Sequence, residues 1–166
     1  MSYTVPEMVQ DGRYIVKCTA PKLVTLYNVV VTKDNDYYSL KIPTHDTTLN
    51  TFDESLIDDA VTQSKEWFQK EMSREIISNY FQPSVDDGIL QAEELKNARG
   101  RSQVVFFGST KEITDFVPGS TYNVLLQLEG LWFLKRSFGP IWKIVQARAK
   151  KEVQPAECLI RDEDSD

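Results

Sequence analysis

Residues 121–151 read TYNVLLQLEGLWFLKRSFGPIWKIVQARAKK. Two runs rich in β-branched, aromatic and leucine residues, 121–134 and 141–149, flank Ser137-Phe138-Gly139-Pro140, a turn signal. The spacing predicts a β-hairpin. An isolated glycine inside a strand marks a bulge, so Gly130 is the expected irregularity of the first strand. Trp132, Phe133, Phe138 and Trp142 stand beside Lys135, Arg136, Lys143 and Arg148. Unpaired bases stack on rings while Lys and Arg follow phosphates, so this combination points to a single-stranded nucleic acid.

Outward from the hairpin, the chain reads as mainly β with one long helix. Residues 13–19 (RYIVKCT) and 23–33 (LVTLYNVVVTK) form two strands, or one strand bent at Pro21-Lys22. Lys33-Asp34-Asn35-Asp36 is a turn cluster, and residues 37–42 (YYSLKI) return as a strand. Thr51 with Glu54 fits a capping box, with Asp53 as a competing N-cap. From there Ile57, Val61, Ser64, Phe68, Met72 and Ile76 recur every three or four residues. That period predicts a helix to about Tyr80, with Pro83 barring its continuation. A shorter helix is expected over 89–97, after the turn Asp86-Asp87-Gly88, and a strand over 103–107. Three strands, a helix and three strands suit an α+β chain, an OB-like Greek-key β-barrel with a helical insertion. An α+β sandwich is the alternative.

The chain has 166 residues, enough for one domain with a proper core, expected over 1–151. Its formal net charge is −6, which argues at first against nucleic acid, but the charge is unevenly spread. Residues 152–166 carry a net −5 and read as an acidic, unfolded tail, leaving −1 for the remainder. Residues 52–97 sum to −7 and residues 101–151 to +5, and binding responds to the local field. The tail suggests either a solubilising end, a nucleic-acid mimic that competes for the chain's own basic groove, or a docking site for replication proteins.

Further contact candidates lie outside the hairpin. Tyr37 and Tyr38 are neighbours on a strand with Lys41, so at most one ring faces the core. Trp132 and Phe133 point to opposite faces for the same reason. Arg99 and Arg101 flank Gly100 in a cationic loop suited to phosphate contact, or simply solvated. The bland reading of every ring is burial in the core.

Signals for catalysis are poor. His45 stands beside Asp46 without a placed nucleophile, and there is no glycine-rich phosphate loop, CxxC or HExxH pattern. Asp58-Asp59 and Asp86-Asp87 could hold a divalent cation, but such pairs are usually solvated. No enzyme activity, cofactor or metal is expected. Cys18 and Cys158 offer no disulfide framework or zinc spacing, so reduced thiols are expected. The start MSYTVPEMVQDGR lacks the basic and apolar regions of a secretory signal, and no apolar run nears the roughly 20 residues that cross a bilayer. An intracellular chain without a membrane partner is expected.

The run GLWFLKRSFGPIWKIVQ, 130–146, resembles a C-terminal segment of single-stranded DNA-binding proteins, and related small proteins, of large nucleocytoplasmic DNA viruses. There, G-hydrophobic-W-F leads through basic residues and a glycine turn to a second W-K strand. The resemblance implies that Trp132, Phe133, Lys135, Phe138, Trp142 and Lys143 lie in or beside a strand-binding groove. It implies a non-sequence-specific protein coating single-stranded DNA, or RNA, in viral replication, recombination or repair, with self-association open. Its place of action would be the host nucleus or a cytoplasmic replication site. A protein–protein adaptor or structural virion component is the rival expectation, and a small metal-dependent nuclease the third.

Overall fold

The computed structural model describes residues 2–9, 12–33, 37–94, 96, 99, 104–107, 116 and 120–149. In chain order the strands are β1 (Glu7–Met8), β2 (Tyr14–Lys33), β3 (Tyr38–Lys41), β4 (Val85–Asp86), β5 (Ile89–Glu94), β6 (Val105–Phe107), β7 (Thr121–Leu134) and β8 (Ser137–Ala149). The helices α1 (Thr48–Thr62), α2 (Ser64–Trp67) and α3 (Arg74–Tyr80) all lie between β3 and β4.

Five strands close a barrel. β2 pairs antiparallel with β3 and with β7, β3 with β5, and β7 with β8. A parallel pairing of β5 with β8, at Glu93–Lys143 and Glu94–Ile144, completes the ring. β1, β4 and β6 extend it at the margins. β2 is the single bent strand, with register shifts between Lys17 and Lys22 and between Leu26 and Val29. Such breaks let one long strand serve two neighbours around a curved wall.

The barrel interior follows from strict alternation. Along β7, Tyr122, Val124, Leu126 and Leu128 point inward and are fully buried. A register shift between Leu128 and Gly130 then moves the inward set to Leu131 and Phe133. The bulge falls where Gly130 predicts it. Its cause is the neighbouring strand: a Cβ on Gly130 would sit 2.0 Å from the Val16 carbonyl oxygen.

Three expectations change. The hairpin turns on Lys135-Arg136, with Leu134 opposite Ser137, so Ser137–Pro140 belong to β8 rather than to the turn. Pro140 is tolerated there because β8 has no second partner strand over 139–142 among the described residues. Residues 89–94 are a strand, not a helix. Leu90 and Ala92 are buried while Gln91 and Glu93 are exposed, a period of two that outweighs the helix preference of Gln, Ala and Glu. Asp87 (φ 52°) and Gly88 (φ 76°) turn β4 into β5, the two left-handed residues of a tight hairpin loop.

The single long helix is three short ones. It starts earlier than expected, where Asp46 Oδ1 accepts the Thr48 N–H at 2.9 Å, and Thr51 and Asp53 lie inside it. The stripe is broken after Trp67: Gln69 adopts φ 65°, and Ser73 restarts α3 by accepting the Ile76 N–H. Ser64, on the apolar stripe, is buried and accepts the Met72 N–H at 3.4 Å, which folds the connection back over it. Leu56, Ala60, Trp67 and Ile77 still form one apolar surface against the barrel.

Candidate nucleic-acid interface

An open cleft of about 970 Å³ runs over the outer face of the barrel. Its floor is Ile15 of β2, Trp132 of β7 and Pro140 with Ile141 of β8. Alternation places them together: Ile15 pairs with Trp132, and Trp132 with Gly139. The indole of Trp132 lies across Gly139, whose added Cβ would meet the ring at 3.1 Å and the Gln82 carbonyl at 3.2 Å. Glycine there lets the ring lie on the strand while keeping part of it exposed to the cleft. Arg13 and Lys17 of the β2 region border one side, Tyr37 and the outer face of β5 another.

The cleft carries both signs of charge. Lys143 Nζ lies 2.5 Å from Glu93 Oε1 and 3.7 Å from Glu129 Oε1, and its side chain is only 15% exposed. Asp86 is also on the wall. The two exposed cations Lys135 and Arg136 stand at the hairpin tip, next to Ser137 at the cleft's end.

The aromatic stripe expected to stack bases divides by face. Trp132 and Tyr37 look outward; Phe133, Phe138, Trp142 and Tyr38 do not. Phe133 and Phe138 sit opposite each other across the hairpin, their rings 5.4 Å apart and within 4° of parallel, under Trp67 and Phe68. Both are core residues, because the turn at Lys135-Arg136 sets them on the inner face. Tyr38 is inward too, 3% exposed, and its hydroxyl donates to Glu94 at 2.5 Å. These four rings cannot receive a base without opening the core.

Trp142 is held by a buried polar chain. Its Nε1–H donates to Ser84 Oγ at 2.9 Å. The Ser84 hydroxyl donates to Asp53 Oδ1 at 2.5 Å and its backbone N–H to Asp53 Oδ2 at 2.9 Å. Burial raises the Asp53 pKa above the ordinary range, and the two bonds from Ser84 oppose that. The chain ties α1 to the segment before β4 and fixes the indole against Phe52. Nothing in the residue spacing of 53, 84 and 142 announces it.

The remaining candidates are scattered. Arg148 is exposed near the far end of β8, roughly 35 Å from the hairpin tip at the rise of an extended strand. Lys41 ends β3 and Arg99 is exposed in a turn, neither of them on the cleft. Arg101, Cys158 and the acidic segment 152–166 lie outside the described residues. Arg13, Lys17, Glu93 and Glu129 were not singled out by sequence, although the alternation Arg13-Ile15-Lys17 already puts the three on one face of β2.

The acid pairs are engaged or apart. Asp58 forms an ion pair with Arg74, and Asp59 accepts the Tyr3 hydroxyl at 2.5 Å. Desolvation, with Asp59 beside it, raises the Tyr3 pKa, and desolvation pushes the Cys18 thiol up to about 11. Among the described residues no three His, Cys, Asp or Glu side chains gather as a metal site. No helix among them is long and apolar enough to cross a membrane.

Residues 28–161 match a protein family described as a family of unknown function (DUF5871). The match spans most of the chain, which belongs to this family. No curated protein matches the chain.

Proposed function

We propose that the chain is a non-enzymatic protein that binds single-stranded nucleic acid through an OB-like barrel. The order of closure supports the fold assignment: first strand to second and fourth, second to third, third to fifth in parallel, fifth to fourth, with β2, β3, β5, β7 and β8 as the five. OB barrels bind oligonucleotides over strands two and three and between the loops after strands one and four. Here those parts are β3 with β5, the connection ending at Tyr37, and the tip Lys135-Arg136; the cleft takes in β5 and Tyr37 but no residue of β3, and its floor lies on the first, fourth and fifth barrel strands. The helical insertion sits between the second and third strands.

The observation that carries the proposal is the cleft itself. It offers one outward indole, Trp132, on an apolar floor between the Tyr37 side and the cationic tip. Stacking is worth about 1–3 kcal/mol per engaged base, and cations at the rim add a salt-sensitive term. The contact set is therefore Trp132, Tyr37, Arg13, Lys17, Lys135 and Arg136 rather than the whole hairpin. Such a protein would protect exposed strands in replication, recombination or repair, of a viral genome if the resemblance over 130–146 extends to biology. The acidic tail would meet replication proteins.

The test is a titration with mixed-sequence single-stranded DNA at two salt concentrations, read by tryptophan fluorescence. Trp67 and Trp142 are buried, so quenching should come from Trp132 and vanish in Trp132→Phe. Lys135→Glu with Arg136→Glu should weaken binding about tenfold at low salt, without moving the unfolding midpoint, since both side chains are exposed. No quenching and no binding at low salt would sink the proposal. That result favours the adaptor reading, which the exposed apolar pair Met8 and Tyr14, cross-strand partners at the hairpin end, supports.

A further inference from the structure

Between β2 and α1 lies a second groove, of about 540 Å³, that shares no residue with the cleft. One wall is four consecutive residues of β2, 22–25; the other is Thr48, Thr51, Phe52 and Ser55, spaced as one face of α1. Consecutive strand residues point to opposite faces, so a wall made of all four is the edge of the strand. β7 pairs with one edge of β2 over 22–26. On the other edge, the segment before β2 reaches only as far as Thr19, whose N–H donates to the Ser2 carbonyl, and β3 begins at Val30. Over 22–26 that edge meets no strand among the described residues. An unpaired edge accepts an extended peptide as a further strand, the backbones pairing while alternate side chains settle on the flanking surfaces.

We infer that this edge is a docking site for the chain's own segment 158–164, CLIRDED, added as a strand antiparallel to β2. The direction follows from where β8 ends. Ala149 lies opposite Tyr122, and Tyr122 opposite Val29, so β8 ends level with Val29, just past the open edge. A strand laid beside Thr25 is about 20 Å from Ala149, three strand spacings across and four residues along. Residues 150–158 span up to about 30 Å when extended, so Leu159-Ile160 reaches the groove from the Val29 side and runs toward Lys22. The order of chemistry agrees with that direction. Val24 with Phe52 gives an apolar seat inside the groove, and Leu23, 53% exposed, gives one outside. Leu159 and Ile160 are neighbours, so in any register one side chain turns inward and the other outward, and each finds its seat. The acids Asp162, Glu163 and Asp164 then arrive at the far end, where Lys22 is exposed and its flexible ammonium reaches any of them. The inference stands apart from strand binding, because groove and cleft have no lining in common.

The experiment uses the native Cys158 of the full chain as the probe. Thr25→Cys places a thiol at the groove, and Lys41→Cys places one outside it, at the end of β3, about 15 Å from Ala149 by the same count; both positions are exposed. Under mild oxidation, intrachain cross-linking to Cys158 is followed by peptide mass at low protein concentration. Cys18, whose thiol is pushed up to about 11, is a slow competitor. Cross-linking at position 25 should be at least about tenfold faster than at 41, since the tether supplies both sites and docking only one. Adding Leu159→Asp with Ile160→Asp to Thr25→Cys removes the apolar side chains from a segment outside the barrel, and the rate should fall to that of the control. Equal rates at 25 and 41 in the otherwise native chain overturn the inference. A preference for 25 that survives the two aspartates also overturns it, because the seats then do not hold the segment. Cross-links formed mainly between two chains overturn it as well, since the occupant is then a second copy.

Discussion

At the scale of single residues, Asp53 shows how burial and hydrogen bonding contend for one carboxyl. It is 8% exposed and takes two bonds from Ser84, yet desolvation is the larger effect and its pKa is raised. A group whose folded-state pKa is raised stabilises the fold most when protonated. That contribution is complete below the ordinary aspartate pKa of about 3.9 and is lost as pH climbs through the raised value. Asp53→Asn removes the titration while keeping an acceptor for the Ser84 N–H. The difference in stability between the variant and the wild type should therefore shift in the variant's favour as pH rises from below that range to neutrality. Urea midpoints at the two ends check it. A difference that stays constant with pH would show that Asp53 titrates in the fold as it does in the unfolded chain.

At the scale of elements, the hairpin depends on two glycines that act through different neighbours. Gly130 faces the backbone of β2, so Gly130→Ala drives a Cβ onto the Val16 carbonyl, and backbone there cannot step aside. The loss should exceed the ~1–3 kcal/mol usual for overpacking, or prevent folding. Gly139→Ala meets the edge of the Trp132 ring and the Gln82 carbonyl at over 3 Å and should cost no more than that usual range. Chemical denaturation ranks the two; the opposite order would mean that the bulge relaxes freely. Gly130 also marks what could be read before the structure. The strand bounds 121–134, the bulge, and the opposed faces of Trp132 and Phe133 all follow from period two and one misplaced glycine. The turn does not. Ser-Phe-Gly-Pro carries every mark of a loop, but the pairing of Phe133 with Phe138 under Trp67 and Phe68 pulls it into the strand. The same holds at 89–94, where helix-forming residues become a barrel strand because β3 and β8 need a partner between them. The Asp87-Gly88 pair was the local signal for that hairpin. The cleft was legible only in part, since which outward residues meet depends on the neighbouring strand, and pairing is not written in any one segment.

At the scale of the whole molecule, charge and fold act over different distances. Within the cleft Lys143 is matched within a few ångströms by Glu93 and Glu129, so this trio contributes a local charge pattern more than a far field. Approach of a polyanion is governed by the sum, −6, of which residues 152–166 contribute −5. A field of this kind reaches about one Debye length, roughly 10 Å at 0.1 M salt, and more when salt is low. Removing 157–166 deletes five of that segment's six acids together with Arg161 and so leaves the chain close to neutral. If strands bind the cleft and the cationic tip, the shortened chain should bind single-stranded DNA several-fold more tightly at low salt, whether the segment repels the strand from afar or occupies the Lys135-Arg136 tip. The two chains should converge as salt rises, because a screened charge no longer matters while stacking on Trp132 persists. Affinity measured across a salt series decides it. Weaker binding by the shortened chain would give the acidic segment a direct part in holding the strand, and an unchanged affinity at low salt would place it beyond the reach of the cleft's field.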